Sequence, residues 1–201
     1  MTFASILIAY LLGSIPFGYV LTRLRTGQDV RASGSGNIGA TNVMRTAGRG
    51  LGIATLLLDA GKGTLAVWLA DCASSGSTTG STTWMALAAL AVMLGHVFPI
   101  FLNFKGGKAV ATFAGAFGYL LPMPLLATVV VFAMVLALTH YVSAASIVAA
   151  ATFPIGAWII SRPSTTEMLV AIFAGALVVY RHSSNMARIR AGTEGTFPSK
   201  R

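Results

Sequence analysis

Acidic side chains are scarce in this chain. Five Asp and Glu stand against 14 Lys and Arg in 201 residues, a formal net charge of +9, and charged residues are only 9% of the total. A soluble domain typically carries about a quarter. Cysteine is almost absent as well: Cys72 stands alone, which excludes an internal disulfide and a thiolate-rich metal cage. Three histidines far apart in sequence, with few and scattered acids, leave no set of metal ligands, so no metal is expected. Residues 1–22 contain no Lys or Arg. A cleaved signal peptide needs a positive leader, so this stretch reads as a retained first span. No basic helix or aromatic-interleaved platform is present, which argues against nucleic acid as the partner of all this positive charge.

Apolar side chains are what the chain has in abundance. They make up 55% of it, with a mean hydropathy of +0.77. Burying that fraction in water would need a far larger protein, so the expected solvent is a lipid bilayer. Candidate spans are Thr2–Thr22, Leu51–Ala70, Trp84–Leu102, Ala109–Leu121, Pro124–Thr139, Val142–Ile160 and Glu167–Tyr180. Region 109–139 as one helix would be about 46 Å long at 1.5 Å per residue, too long for a hydrocarbon core of ~30 Å. Pro122 and Pro124 interrupt it, so two short spans with a tight turn at Leu121–Pro124 are expected. The fold class is therefore all-α: one polytopic domain over residues 1–201, with seven transmembrane helices.

Charge orients this bundle. With the N-terminus outside and the C-terminus cytoplasmic, Arg162 is the one basic residue of the 14 that falls on the outer side. That is the positive-inside pattern. Six spans would instead send Arg181, Arg188, Arg190, Lys200 and Arg201 outward. Ser74–Thr83, "SSGSTTGSTT", is an uncharged low-complexity stretch and reads as a flexible outer linker. No internal repeat is evident, so the inverted-repeat architecture of many transporters finds no support.

Three polar clusters then fall at the inner ends of spans. The first, "SGSGNIGATN" from Ser33 to Asn42, carries glycines at 34, 36 and 39. Glycine permits positive φ, which can turn several N–H groups toward one anion. Ser35, Asn37, Thr41 and Asn42 add side-chain donors, and Arg45 adds a planar fork suited to phosphate. A plain Gly/Ser turn between helices would explain the glycines and serines equally well. The second cluster, Gly95–Thr112, places Lys105 and Lys108 around Gly106 and Gly107 just before an apolar helix, the pattern of a helix N-terminal phosphate site. A basic inner loop accounts for the lysines alone, though not for the paired glycines. His96 lies near the end of the third span, where a structural hydrogen bond is its commoner role. Asp59 and Lys62, three apart on one helix, are placed to neutralise each other. The third cluster, Arg181–Glu194, sets His182, Asn185 and Arg188 along one helical stripe. Such a stripe could hold a phosphorylated substrate or meet lipid headgroups. Glu194 is its single acid, a partner for one of the arginines.

Together these clusters resemble those of the bacterial acyl-phosphate:glycerol-3-phosphate acyltransferases, the PlsY family. The pattern S-G-N-x-G-x-T-N-V-x-R is met by Ser35, Gly36, Asn37, Gly39, Thr41, Asn42, Val43 and Arg45. The pattern G-H-x-x-P-x-F-x-x-F-K-G-G-K-G-V-A-T is met through Thr112, except that Ala109 stands where glycine is usual. The pattern H-x-x-N-x-x-R followed by G-x-E is met by His182, Asn185, Arg188, Gly192 and Glu194. The segments "YLLGSIPFGY" and "LLLDAGKG" are similar too, so the likeness covers nearly the whole chain.

The resemblance implies transfer of a fatty acyl group from acyl phosphate to glycerol 3-phosphate, giving lysophosphatidic acid and phosphate. That is the first acylation of phospholipid synthesis, at the cytoplasmic face of the bacterial inner membrane. Ser35, Arg45, His182 and Asn185 would be catalytic. Gly36, Asn37, Gly39, Thr41, Asn42, Lys105, Gly106, Gly107, Lys108, Thr112 and Arg188 would bind phosphate groups, with Glu194, Asp59 and His96 structural. The general base is either His182 or a phosphate oxygen of the substrate. No cofactor and no obligate protein partner are implied. Two other readings remain: a small transporter of phosphorylated metabolites, and a coenzyme-A-dependent acyltransferase. The one-sided clustering weighs against the first. No H-x-x-x-x-D follows His96, His140 or His182, which weighs against the second.

Overall fold

The computed structural model describes residues 2–75 and 80–197. Residues 76–79 of the expected linker, and Lys200 and Arg201 of the expected inner tail, lie outside that range. Ten α-helices and no strand occur among the described residues.

The first apolar run is broken rather than continuous. Helix α1 (Thr2–Ser14) and helix α2 (Phe17–Thr26) meet at Ile15–Pro16. Proline has no N–H, and its ring collides with the preceding turn, so it kinks or breaks a helix, and here it breaks it. Helix α2 stops at Gly27, whose φ of 71° lets its N–H return to the Arg23 carbonyl. A short helix α3 (Ala40–Ala47) precedes α4 (Arg49–Ser74), whose 26 residues reach about 39 Å. Helix α5 (Ser81–Val97) leads into a single 3₁₀ turn at Ile100–Leu102.

Helices α6 (Val110–Leu120) and α7 (Pro122–Thr139) are separated by Leu121 alone. The turn expected at Leu121–Pro124 is thus tighter than expected. Pro122 and Pro124 both lie in the first turn of α7, where a missing N–H removes no intrahelical bond. Helix α8 (Val142–Ser161) runs on through Pro154, and α9 (Thr165–Arg181) starts with a reciprocal cap. There the Ser164 N–H donates to Glu167 Oε2 at 2.8 Å, and the Glu167 N–H donates to Ser164 Oγ at 3.4 Å. Helix α10 (Ser183–Arg190) follows directly.

Five segments are long and apolar enough to cross a membrane: 3–26, α4, 81–102, α7 and α8. Of the seven spans expected, the two that correspond to the 11-residue α6 and the 17-residue α9 are not among these five. Exposed large apolar side chains suit contact with lipid, among them Leu57, Leu126, Val130, Ile155 and Phe173.

The helices up to Leu120 form one compact unit, and those from Leu121 onward form another. In the first unit two helix pairs approach backbone to backbone through reciprocal glycines. Gly13 of α1 lies against the Val92 carbonyl of α5, and Gly95 of α5 against the Tyr10 carbonyl of α1. Helices α4 and α6 repeat the device, with Gly63 against Thr112 and Gly115 against Ala60. Without a hydrophobic force between helices in lipid, such close packing is what holds them together. In the second unit, Gly175 of α9 lies against the Ala150 carbonyl. That carbonyl is four residues before Pro154, so it receives no helical N–H from it.

Candidate active site

The first polar cluster folds as a stapled loop. Asp29 caps the 3₁₀ turn Val30–Ala32, accepting from the Arg31 N–H at 2.9 Å and from its guanidinium at 2.7 Å. Arg31 in turn lies 5.0 Å over the Tyr19 ring. The Arg31 hydrogen bonds hold the Asp29 carboxyl below its ordinary range. Gly34 and Gly36 then take φ of 61° and 70°, and the chain doubles back into α3. Asn42 organises this turn. Its Nδ2 donates to the carbonyls of Val30 (3.0 Å), Ser33 (3.2 Å) and Asn37 (2.8 Å), while its Oδ1 accepts from the Ser35 N–H at 2.8 Å.

That geometry gives Asn42 a different task from the phosphate binding expected of it. It is buried, and both of its N–H donors are spent inside the protein. Asn37 Oδ1 likewise accepts from the Gly39 N–H at 2.8 Å, closing a local turn. What the loop presents outward is Ser35 and Gly36 at its tip, with Arg45 exposed on α3 one turn beyond Asn42.

The second cluster shares a small core with the first: Leu102 packs with Val30, Ile38 and Val43. Its chain turns at Asn103 and Phe104, with φ of 51° and 61°, and then runs back along the end of α5. The Gly106 N–H donates to the Val97 carbonyl at 3.1 Å and the Gly107 N–H to the His96 carbonyl at 3.0 Å. The glycine amides expected to cradle phosphate are therefore bonded to α5. A Cβ at Gly106 would strike the His96 carbonyl and the Pro99 ring, and one at Gly107 the His96 imidazole. The close approach these glycines permit is to protein. Lys105 is exposed and Lys108 half-buried on either side of them. Ala109 follows with φ of 59°, at the entrance to α6. Where glycine is usual in the resembled pattern, this alanine adopts the left-handed conformation that glycine takes more easily.

Beneath that loop lies a buried polar group. Lys62 Nζ is 2.8 Å from Asp59 Oδ1 and donates to the Ile15 carbonyl, also at 2.8 Å, at the α1–α2 break. His96 Nδ1 lies 3.3 Å from Thr112 Oγ1 and 3.6 Å from Asp59 Oδ1. Thr112, expected to bind substrate, is fully buried and faces His96 instead.

The third cluster is assembled within the second unit. His182 stands at the junction of α9 and α10, buried, with Nδ1 donating to the Val178 carbonyl at 2.7 Å. That bond leaves Nε2 as the lone-pair nitrogen of a neutral ring. Gly192, at φ of 68°, turns the chain after α10 and brings Glu194 back. Glu194 Oε1 accepts from Ser143 Oγ at 2.7 Å and from Asn185 Nδ2 at 2.6 Å, and its Oε2 pairs with Arg188 Nε at 2.7 Å. Burial pushes the Glu194 carboxyl up, but the bonds from Asn185, Ser143 and Arg188 outweigh it and hold the group below its ordinary range. Arg188, expected to bind phosphate, spends one of its five N–H donors here.

Sequence reasoning missed Ser143 and the Asp29–Arg31–Tyr19 group. An aspartate two residues before an arginine is a cap signal that could have exposed Asp29. Ser143 lies 51 residues from its partner and left no local signal.

Helices with lipid-suited faces, ending in loops that carry Gly, Ser, Arg and Lys, define an all-helical integral membrane protein with polar groups gathered at helix ends. A family model described as glycerol-3-phosphate acyltransferase matches residues 3–192. Two curated bacterial proteins so named are similar throughout. The one from Trichlorobacter lovleyi is 47% identical over 190 residues, covering 94% of each chain. The one from Syntrophomonas wolfei is 40% identical over 197 residues, covering 98% of this chain and 97% of the relative. A crystal structure of PlsY, an integral membrane glycerol 3-phosphate acyltransferase, in its glycerol 3-phosphate form superposes with a TM-score of 0.89 at 36% identity, covering 98% of this chain and 95% of that one. The lysophosphatidic acid form of that enzyme superposes at 0.85 with 34% identity over the same shares. The chain belongs to the glycerol-3-phosphate acyltransferase family.

Proposed function

We propose that this protein transfers a fatty acyl group from acyl phosphate to the 1-hydroxyl of glycerol 3-phosphate. The observation that carries this is the first loop: two left-handed glycines, locked by Asn42, hold Ser35 outward, and Arg45 is exposed on the α3 helix that follows. Similarity to a structure in a glycerol 3-phosphate form supports the acceptor. Similarity to one in a lysophosphatidic acid form supports the product.

The acceptor hydroxyl oxygen attacks the acyl carbonyl, and the carbon–oxygen bond to phosphate breaks. Lysophosphatidic acid and inorganic phosphate leave. Acyl phosphate is already an activated anhydride, so no acyl-enzyme is required. Ser35 and Arg45 stabilise the oxyanion and the departing phosphate, a task that fixed donors perform without reorganising. Lys105 and Lys108 hold the acceptor phosphate near the first turn of α6, whose leading N–H groups lack helical acceptors. Asn37, Thr41 and Arg188 add donors, and Gly36, Gly39, Gly106 and Gly107 shape the loops. His182 and Asn185 act on the hydroxyl. The Nδ1 bond of His182 supports Nε2 as the proton acceptor, with a substrate phosphate oxygen as the other candidate.

The wider reading follows from charge and apolar length. Residues 1–201 act as one acyltransferase domain in the bacterial cytoplasmic membrane, with seven spans, the N-terminus outside and the reaction on the cytoplasmic side. The test of the donor is direct. Purified protein is assayed with glycerol 3-phosphate and either acyl phosphate or acyl-CoA. Turnover with acyl-CoA and none with acyl phosphate would overturn the proposal.

A further inference from the structure

The reaction proposed above makes no direct use of the buried group formed by Asp59, Lys62, His96 and Thr112. All four are nearly inaccessible, at 3%, 4%, 4% and 0% exposure. Burying a charge pair costs several kcal/mol per ion before its attraction is counted, so such a pair is weak evidence of stabilisation. Its position is more informative. His96 holds the second loop in two ways at once: its carbonyl accepts the Gly107 N–H at 3.0 Å, and its ring fills the space a side chain at Gly107 would need. On the opposite edge, ring Nδ1 faces Thr112 Oγ1 at 3.3 Å and Asp59 Oδ1 at 3.6 Å. A carboxylate and a hydroxyl at one nitrogen select a single ring orientation, as partners of an imidazole do elsewhere. Rotation of the ring would displace Gly107, and Lys108 is the next residue.

We propose that Asp59 and Thr112 are positioning residues for Lys108, acting through the His96 ring, so that they govern acceptor affinity and not the chemical step. Lys62 balances the Asp59 charge and ties this group to the α1–α2 break through the Ile15 carbonyl. The proposal rests on the reading that the Lys105–Lys108 loop holds glycerol 3-phosphate.

Two variants test it, one removing a single hydroxyl and one removing both charges together: Thr112→Val, and the pair Asp59→Asn with Lys62→Met. Kinetics are measured with glycerol 3-phosphate varied at saturating acyl phosphate. KM is expected to rise by about fivefold or more with kcat held within about twofold, the signature of lost ground-state binding. Thr112→Ser, which keeps the hydroxyl, should restore KM. Protection of the protein by glycerol 3-phosphate against thermal unfolding should weaken in parallel, a readout independent of turnover. A folded variant with unchanged KM, or with kcat reduced at constant KM, overturns the proposal. Lys108→Ala reads the underlying assignment separately. If KM is unmoved there, the loop does not hold the acceptor. If KM rises there but not in the other variants, the positioning role alone fails.

Discussion

Replacing Glu194 by glutamine keeps the shape of the third cluster and removes its one negative charge. The carboxylate accepts from Ser143 and Asn185 through Oε1 and from Arg188 through Oε2. An amide has a single acceptor oxygen. Placed at the Oε1 position, it keeps Ser143 and Asn185 but turns an NH₂ toward the Arg188 Nε–H. Placed the other way, it keeps Arg188 and lets the Ser143 hydroxyl accept, but sets its NH₂ against Asn185 Nδ2. Either arrangement loses one bond outright and leaves a buried N–H facing a donor. Loss of the bond to Arg188 is worth about 1.5–3 kcal/mol, and the bonds that remain lose the strength the negative charge gave them. The Arg188 side chain is 33% exposed, so water recovers part of that loss. A net destabilisation of about 2–3 kcal/mol follows, a melting shift of roughly 5–10 °C for a chain of this size.

Proton linkage gives this prediction a second axis. Glu194 sits below its ordinary value of 4.5 when folded. Its contribution is therefore fully present above pH 4.5 and fades as pH falls through the lower folded value. Melting of wild type and Glu194→Gln in detergent should differ near pH 7 and converge as acid carries the pH down through the lowered folded value. Equal melting at pH 7, or a gap that persists undiminished in acid, would refute the reasoning.

Further outcomes are expected from the other elements. Ser35→Ala and Arg45→Ala should each lower kcat by about a hundredfold or more with little change in KM, measured by steady-state kinetics. Ala109→Gly should leave thermal stability nearly unchanged. Relief of a left-handed alanine, about 1–2 kcal/mol, is offset by greater unfolded-chain entropy and by loss of a buried methyl worth about 0.8 kcal/mol. Ala109→Val, with a branched side chain at the same φ, should melt markedly lower. Gly115→Ala puts a methyl against the Ala60 carbonyl and should destabilise the first unit by about 1–3 kcal/mol, visible in detergent melting. Single cysteines at 188 and 162 in sealed cells should react with an impermeant reagent at 162 only; the reverse pattern would reject the seven-span orientation.

Much of the architecture was legible because apolar runs and prolines act locally. The α6–α7 turn follows from Pro122 and Pro124, and the Asp59–Lys62 pair from a three-residue spacing. Asn42 shows where such reading stops. An amide in a polar loop announces donors but not their direction, and its three acceptors lie 5, 9 and 12 residues away. The paired glycines at 106 and 107 announce a close approach, but the partner turns out to be the end of α5. The surroundings of His96 were beyond reach for the same reason: Asp59 and Thr112 come from different helices, brought within reach by packing alone.

The Asp59–Lys62 bridge also bears on how α4 enters the bilayer. Both charges belong to one helix and lie within one turn of each other. Their neutralisation needs no other segment, so α4 can partition into hydrocarbon as a net-neutral rod before α5 and α6 are synthesised. The Ile15 carbonyl is made earlier in the chain and is available as soon as α4 arrives. His96 and Thr112 follow later. The most expensive charges in the membrane are thus shielded at the moment of insertion, and only their fine placement waits for the helices that come afterward.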